Sequence, residues 1–274
     1  MDLKLYLQRI GVDSLQPPSL TALRELHYQH LISVPFESLS FHCGERIFLD
    51  VEISYEKIVR RRRGGCCYES NGLFLWALQE LGYHVVVHAA QINSNFPGLF
   101  GPPSHVVLVV KLDGRKWLCD VGFGEGIIFP IPLEDEREEE QNGWTFLMRE
   151  EEEEWYLDKK VENGWRNIYK FTLTERRFED FVEMCDYHQS SPSSIIFCKS
   201  FCSLPIPRGR VTYIGHRLIS TELTAGGGTV KTTRDLTEEE IPEVLRDKFG
   251  IVLSRKLVPK DEDPTPPNYD YQHE

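Results

Sequence analysis

The chain has 274 residues, 41% of them hydrophobic and 27% charged, with a formal net charge of −12 at pH 7. This composition suits a globular protein with a sizeable core, in one large domain or two to three smaller ones. The acidic balance argues against a general nucleic-acid partner, which would require a basic face, and no apolar run reaches the roughly 18 residues of a membrane span.

The opening segment, MDLKLYLQRIGVD, is amphipathic, carries Asp2 and lacks a continuous apolar stretch, so it does not read as a signal peptide. Ser19 is placed to cap a helix with Leu20, Leu23, Leu26 and His30 on one side, entered through Pro17 and Pro18. Val34-Pro35 interrupts it, because the residue before a proline avoids the helical region. Another helical stretch, Val51 to Arg62, is expected to stop at Gly64-Gly65. After Cys66-Cys67, Leu73, Ala77 and Leu81 repeat at i, i+4, as do Phe74 and Leu78, and Gly82 supplies a stop. Two cysteines thus stand at the start of a buried helix.

Beyond residue 83 the pattern turns to strands: His84 to Ile92, His105 to Leu112 and Lys116 to Phe123. Asp113-Gly114 and Asn163-Gly164 give hairpin signals. The acidic runs Glu134 to Glu140 and Glu150 to Glu154 read as solvated loops or exposed strand ends. Phe178 to His188 suggests a helix, and Gly226-Gly227-Gly228 a turn. Thr237 and Glu240 form a capping-box pattern before a helix ending at Gly250. The tail DEDPTPPNYDYQHE is proline-rich and acidic, and mobile unless it docks. The economical reading is an α+β protein in three parts, over residues 1–83, 84–190 and 191–274.

The hairpin at Asp113-Gly114 fixes a register. A two-residue loop pairs Leu112 with Arg115 and sets Asp120 opposite Val107, so His105 and Asp120 become diagonal neighbours on one face. Such neighbours lie roughly 7–8 Å apart along the backbone, within reach of these side chains. Asp120 lies in the apolar run WLCDVGFG, where an unpaired carboxylate would be costly. A helix-start cysteine favours its thiolate, an imidazolium favours it further, and an aspartate orients the imidazole. A Cys–His–Asp triad is therefore possible, beside structural thiols or redox chemistry. The seven cysteines, an odd number, fit reduced thiols and a cytoplasmic location. The absence of a C-x-x-C pair gives little support to a metal site.

These residues resemble a known family. Arg63-Gly64-Gly65-Cys66-Cys67, followed by Tyr68, Glu69 and Asn71, is similar to the Arg-Gly-Gly-x-Cys motif of the arylamine N-acetyltransferases. Val34-Pro35-Phe36-Glu37, His105, Asp120-Val121-Gly122-Phe123-Gly124, FTLTERRFEDF and SPSSIIFCKSFCSL extend the resemblance through most of the chain. The resemblance implies Cys67 as nucleophile, with Cys66 in the variable position, His105 as base and Asp120 as its orienter. It implies a helical bundle, a central antiparallel β-barrel and an α/β lid, around a core like that of papain-type proteases and transglutaminases. It also implies acetyl transfer from acetyl-CoA to arylamines, arylhydrazines or N-hydroxyarylamines, with no metal or tightly bound cofactor and a monomeric state. Phe36 and Phe123 would line the acceptor pocket, Ser104 would touch the donor's pyrophosphate or acetyl group, and Arg63 would pair with Glu37. A cysteine hydrolase or transglutaminase-like acyltransferase could use the same triad, and a catalytically silent acyl-CoA or amine binder could retain the fold. Cys66 departs from the aromatic residue frequent at its position, and the acidic tail is idiosyncratic.

Overall fold

The computed structural model describes residues 1–14, 17–94, 99–224 and 228–266. Helix α1, Leu3–Ile10, is capped by the Asp2 carboxylate and ends at Gly11 in the left-handed region. Helix α2, Leu20–Ser33, starts at the Ser19 hydroxyl as expected and stops at extended Val34. A two-residue strand β1, Phe36–Glu37, and a short helix α3, Leu39–His42, follow. Helix α4, Val51–Tyr55, then widens into a π-helical turn over Glu56–Arg60. The sequence predicts one regular helix to Arg62; instead the Arg63 N–H returns to the Lys57 carbonyl and Arg62 takes a φ of +54°, which turns Arg63 inward. Helix α5, Cys67–Glu80, begins at the second cysteine.

Eight antiparallel strands form a barrel-like sheet: β2 (His84–Ile92), β3 (His105–Leu112), β4 (Arg115–Cys119), β5 (Ile131–Pro132), β6 (Arg137–Gln141), β7 (Trp144–Glu151), β8 (Glu154–Val161) and β9 (Gly164–Thr172). Their order is β5-β4-β3-β2-β9-β8-β7-β6. The end strands do not pair with each other; Gln141 on β6 bridges them with its amide, bonding the Ile128 and Phe129 N–H groups and the Phe129 carbonyl just before β5. Strand β3 is buried on both faces. Val106, Leu108 and Val110 join the helical core, while Val107 and Val109 join the barrel core, each burial contributing about 1.5–3 kcal/mol.

Leu112 pairs with Arg115 through a turn in which Asp113 and Gly114 both have positive φ, as the register required. Two details differ from expectation. The strand expected over Lys116 to Phe123 ends at Cys119, because side chains capture the next backbone donors: Asp120 N–H goes to His27, Val121 N–H to Asn71 and Gly122 N–H to the Asp120 carboxylate. At the second hairpin the loop is Glu162-Asn163, and Gly164 is already the first strand residue, at φ +116°. Two turns carried no expectation: Asn142-Gly143, and Glu152-Glu153 within the second acidic run, all four residues at positive φ.

A 3-10 turn over Phe178–Phe181 leads into helix α6, Val182–Ser190, followed by the short helix α7, Ile195–Cys198. Strands β10 (Phe201–Ile206), β11 (Gly209–Ile214), β12 (Arg217–Leu223) and β13 (Thr229–Asp235) form a second sheet, whose fifth strand is β1 from the N-terminal part. Helix α8, Ile241–Phe249, covers it and ends at Gly250. Half of the expected capping box is present, the Glu240 carboxylate accepting from the Thr237 N–H. Of the expected glycine turn, Gly226 and Gly227 lie outside the described residues. So does the tail beyond Pro266; up to that point the tail docks, with Thr265 N–H on the Pro192 carbonyl and Asp261 on Lys199. Among the described residues no helix is long and apolar enough to cross a membrane.

Candidate active site

Cys66 is the N-cap of α5 and Cys67 its first helical residue, with the free N–H groups of the helix start around the sulfur's backbone. A buried ionic lattice holds this loop. The Cys66 N–H donates to Glu69 Oε2 at 3.0 Å, a C-x-x-E box whose signal lay unread in the sequence. Glu69 accepts two bonds from Lys57 Nζ, at 2.8 and 2.9 Å. Lys57 also lies 3.7 Å from Glu37, and Glu37 pairs with Arg63 at 2.8 Å, the pair expected from the resemblance. Burial would push the Glu37 carboxyl up, but Lys57 and Arg63 outweigh it and hold the group below its ordinary value. The loop also packs backbone to backbone: a Cβ on Gly64 would meet the Pro35 carbonyl oxygen at 2.1 Å, so only glycine fits.

Asp120 follows the end of β4 and is fully buried. Its Oδ2 lies 2.8 Å from His105 Nε2 at the start of β3. Its Oδ1 accepts from Asn71 Nδ2 and from the Gly122 N–H, both at 2.9 Å. Burial raises this carboxyl, yet the His105 charge and these hydrogen bonds together hold it below its usual value. With Nε2 committed to Asp120, Nδ1 is the imidazole nitrogen left for proton exchange.

Two supports were not read from the sequence. Asn71, one turn into α5, ties the helix to β3 and to the Asp120 loop through Val106 and Val121 as well. His27 on α2 accepts the Asp120 N–H at Nε2 and faces the Ile128 carbonyl with Nδ1 at 3.0 Å, so Nδ1 carries the proton. Burial keeps it neutral, with a pKa pushed down to about 4. Its place on the buried side of α2 with His30 was the available signal. Gly122 packs on the nucleophile's own backbone: a Cβ there would lie 2.7 Å from the Cys67 Cα.

Cys67, His105, Phe36 and Phe123 line one cavity of about 610 Å³. Phe123 stands edge-on to His105 at 5.4 Å between ring centroids, and Phe36 packs on Phe201 at 5.3 Å. Cys66 is buried and does not line this cavity. Ser104, expected with the substrate residues, lines a neighbouring cavity of about 460 Å³, along with Asp263, Pro264 and Thr265 of the docked tail. The two cavities share Ile92, Asn93, Ser94, His188 and Ile195.

The Cys67 thiol is pushed well up by its hydrogen bond with the Cys66 thiol, then by burial and by nearby negative charge, Asp120 included. A free-standing thiolate is therefore disfavoured. The arrangement suits a thiol that loses its proton to a neighbouring base, next to apolar walls that take a flat ring and beside a second cavity for a longer group.

The sequence matches the profile of an N-acetyltransferase family over residues 19–258. Relatives include arylamine N-acetyltransferase 2 of Mus musculus and arylamine N-acetyltransferase 1 of Homo sapiens, each 35% identical in alignments covering 96% of this chain and 98% of the relative. The solved arylamine N-acetyltransferase of Mycobacterium abscessus superposes with a TM-score of 0.86 at 30% identity, covering 93% of this chain and 91% of that one. The Mycobacterium marinum arylamine N-acetyltransferase in complex with CoA superposes at 0.81 with 28% identity, covering 91% and 93%.

Proposed function

The chain belongs to the arylamine N-acetyltransferase family, and from that premise we propose that Cys67, His105 and Asp120 carry acetyl from acetyl-CoA to arylamines, arylhydrazines or N-hydroxyarylamines. The observation that carries the reading is the buried 2.8 Å bond between His105 and Asp120 in the wall of the cavity that Cys67 lines.

His105 Nδ1 takes the Cys67 proton, and Asp120 stabilises the imidazolium and fixes its tautomer. The thiolate, favoured by the helix start, attacks the thioester carbonyl of acetyl-CoA. CoA leaves as the thiol with the proton held on His105, and one thioester replaces another. An aryl amine, neutral at pH 7, then attacks acetyl-Cys67 and gives its proton to His105. The amide departs and Cys67 is restored, so the kinetics are ping-pong.

Phe36 and Phe123 flank the acceptor ring in this reading, and the second cavity, with Ser104 in its wall, receives the donor. In this reading the chain divides at residues 83 and 190 into a nucleophile-bearing helical part, a part bearing His105 and Asp120, and a covering part, although packing crosses these bounds: Val106, Leu108, Cys185 and Ile196 join the helical core and Leu39 joins the core of the covering part. All seven cysteines are free thiols, which supports a reducing cytoplasm, and the enzyme is read as a monomer.

The test is incubation with acetyl-CoA alone, followed by peptide mapping by mass spectrometry. Acetyl on Cys67 that an added arylamine discharges is the expected result. Acetyl on Cys66, or an unmodified protein that still binds CoA, would overturn the assignment.

A further inference from the structure

In the wall that the two cavities share, His188 on α6 carries a polar atom that the protein leaves unused. The residue is only 6% exposed. Its Nδ1 lies 2.8 Å from the Ser194 hydroxyl, while Nε2 has no hydrogen-bond partner among the described residues. A buried nitrogen without a partner is costly, and an apolar side chain would fill the same wall without that cost. The other polar side chains of the shared wall are engaged: Asn93 Nδ2 donates to the Asn167 carbonyl and the Ser94 hydroxyl to the Leu99 carbonyl.

The orphan nitrogen belongs to a ring beside the reacting groups. The His188 ring centroid is 5.9 Å from that of Tyr68, the residue after Cys67. The Tyr68 hydroxyl donates to the carbonyl of Ser104, the residue before His105. Burial, then the charge of His105, push His188 down to about 4, so its ring is neutral near neutral pH and holds one proton. The Ser104 carbonyl acts on the ring as an acceptor and favours that proton on Nε2, with the Ser194 hydroxyl donating to Nδ1. That carbonyl is engaged by Tyr68 and makes no hydrogen bond with the ring. The Nε2–H is therefore left for a ligand that passes from one cavity to the other.

We propose that His188 Nε2–H donates to the amide carbonyl nearest the sulfur in the pantetheine arm of the acyl donor, and so favours thioesters that carry such an amide. The proposal rests on the transferase reading, in which the thioester meets Cys67 and the rest of the donor lies in the second cavity. The arm then crosses the shared wall, and its first polar group beyond the sulfur is a secondary amide. Ile92 and Ile195 make much of that wall aliphatic, where an unpaired amide carbonyl would be costly. A hydrogen bond from His188 satisfies the ligand's carbonyl and the protein's own orphan together. Because the donor is neutral, it adds no charge beside His105.

The test compares two small thioesters, N,S-diacetylcysteamine, which keeps this amide, and S-pentyl thioacetate, a chain of equal length without it. The ratio of their rates of Cys67 acetylation, followed by mass spectrometry without an acceptor, reads the contact. His188→Leu is expected to lower this ratio roughly five- to ten-fold, and His188→Gln, which keeps a donor, to recover most of it. A residue that only shaped the wall would slow both thioesters alike and leave the ratio in place. Calorimetric binding of CoA to Cys67→Ala, with and without His188→Leu, reads the contact whatever the turnover, and a similar fall in affinity is expected. Either an unchanged ratio or an unchanged affinity would overturn the assignment of His188. Discharge of the acetyl group from the parent protein by an arylamine reads transfer itself, and its failure would count against that reading alone.

Discussion

His105 at the start of β3 and Asp120 just past the end of β4, 15 residues apart and both buried, meet side chain to side chain at 2.8 Å. The bond fixes which imidazole nitrogen holds a proton, because the ionised carboxylate accepts from Nε2–H. Asp120→Asn retains the volume but offers an amide that can donate to Nε2 and so favours the wrong tautomer. Turnover is expected to fall roughly ten-thousand-fold, with the far-ultraviolet circular dichroism unchanged. Steady-state kinetics within ten-fold of the parent would remove Asp120 from the mechanism.

Cys66 acts on Cys67 from the buried side. Its thiol is the foremost cause of the raised Cys67 pKa, so removing it lowers that pKa. Cys66→Ala is expected to shift the pH profile of iodoacetamide alkylation at Cys67 toward lower pH and to retain acetyl transfer. Cys67→Ala is expected to abolish both reactions. A profile that stays in place in Cys66→Ala would show that the contact does not govern the nucleophile.

Gly122 tests the placing of the nucleophile by geometry alone. The Cβ of Gly122→Ala would stand 2.7 Å from both the Cys67 Cα and Asn71 Nδ2. The start of α5 must shift away, which misplaces the sulfur relative to His105. Such a displacement costs roughly a hundred-fold in kcat, with a smaller effect on equilibrium binding of the acceptor. Unchanged kcat would mean that the loop yields instead of the helix.

Local chemistry made parts of this site legible in the sequence. Asp113-Gly114 demands positive φ at both residues, that turn fixes the β3–β4 register, and the register brings His105 to Asp120. Ser19 and Gly82 marked helix ends for equally local reasons. Long-range partners left less trace: the His27 ring that receives the Asp120 N–H lies 93 residues away, and its place on the buried side of α2 marks it as buried without naming its partner. The Glu152-Glu153 turn was hidden because glutamate rarely adopts the left-handed region. Closure of the barrel-like sheet through one amide, that of Gln141, follows no periodic pattern at all.

The ionic lattice under the cysteine loop predicts a stability effect. Glu37 is fully buried and serves both Arg63 and Lys57, besides accepting the Leu39 N–H. Glu37→Gln leaves two buried cations sharing the remaining acids, Glu45 and Glu69. A loss of about 3 kcal/mol is expected, read as a lower urea midpoint with unchanged slope. A midpoint equal to the parent's would show that the lattice rearranges at no cost.

Acid is expected to destabilise the fold through its buried histidines, foremost His27, His30 and His188. His27 and His188 are each pushed down to about 4 and His30 to about 3, in every case chiefly by burial. Their folded values lie below the unfolded value of about 6.5, so the unfolded chain takes up protons first as the pH falls. Their contribution is complete above about pH 6.5 and is lost on the way down toward 4. The depressed carboxyls Asp120 and Glu37 behave otherwise: their contribution holds above the ordinary carboxylate range and is lost only below it. The window between is therefore the histidines' own. Near pH 5 unfolding should take up close to three protons at these imidazoles, and more from His42 and His88, which burial also lowers, so the slope is at least about 4 kcal/mol per pH unit, measurable as urea midpoints at pH 7.5, 6.5 and 5.5. His30→Phe removes one proton from that slope while keeping a ring against Tyr6 and Phe74. Stability that stays level between pH 7.5 and 5.5 would mean that these imidazoles are protonated in the folded protein, and the neutral His27 that receives the Asp120 N–H would have to be abandoned with them.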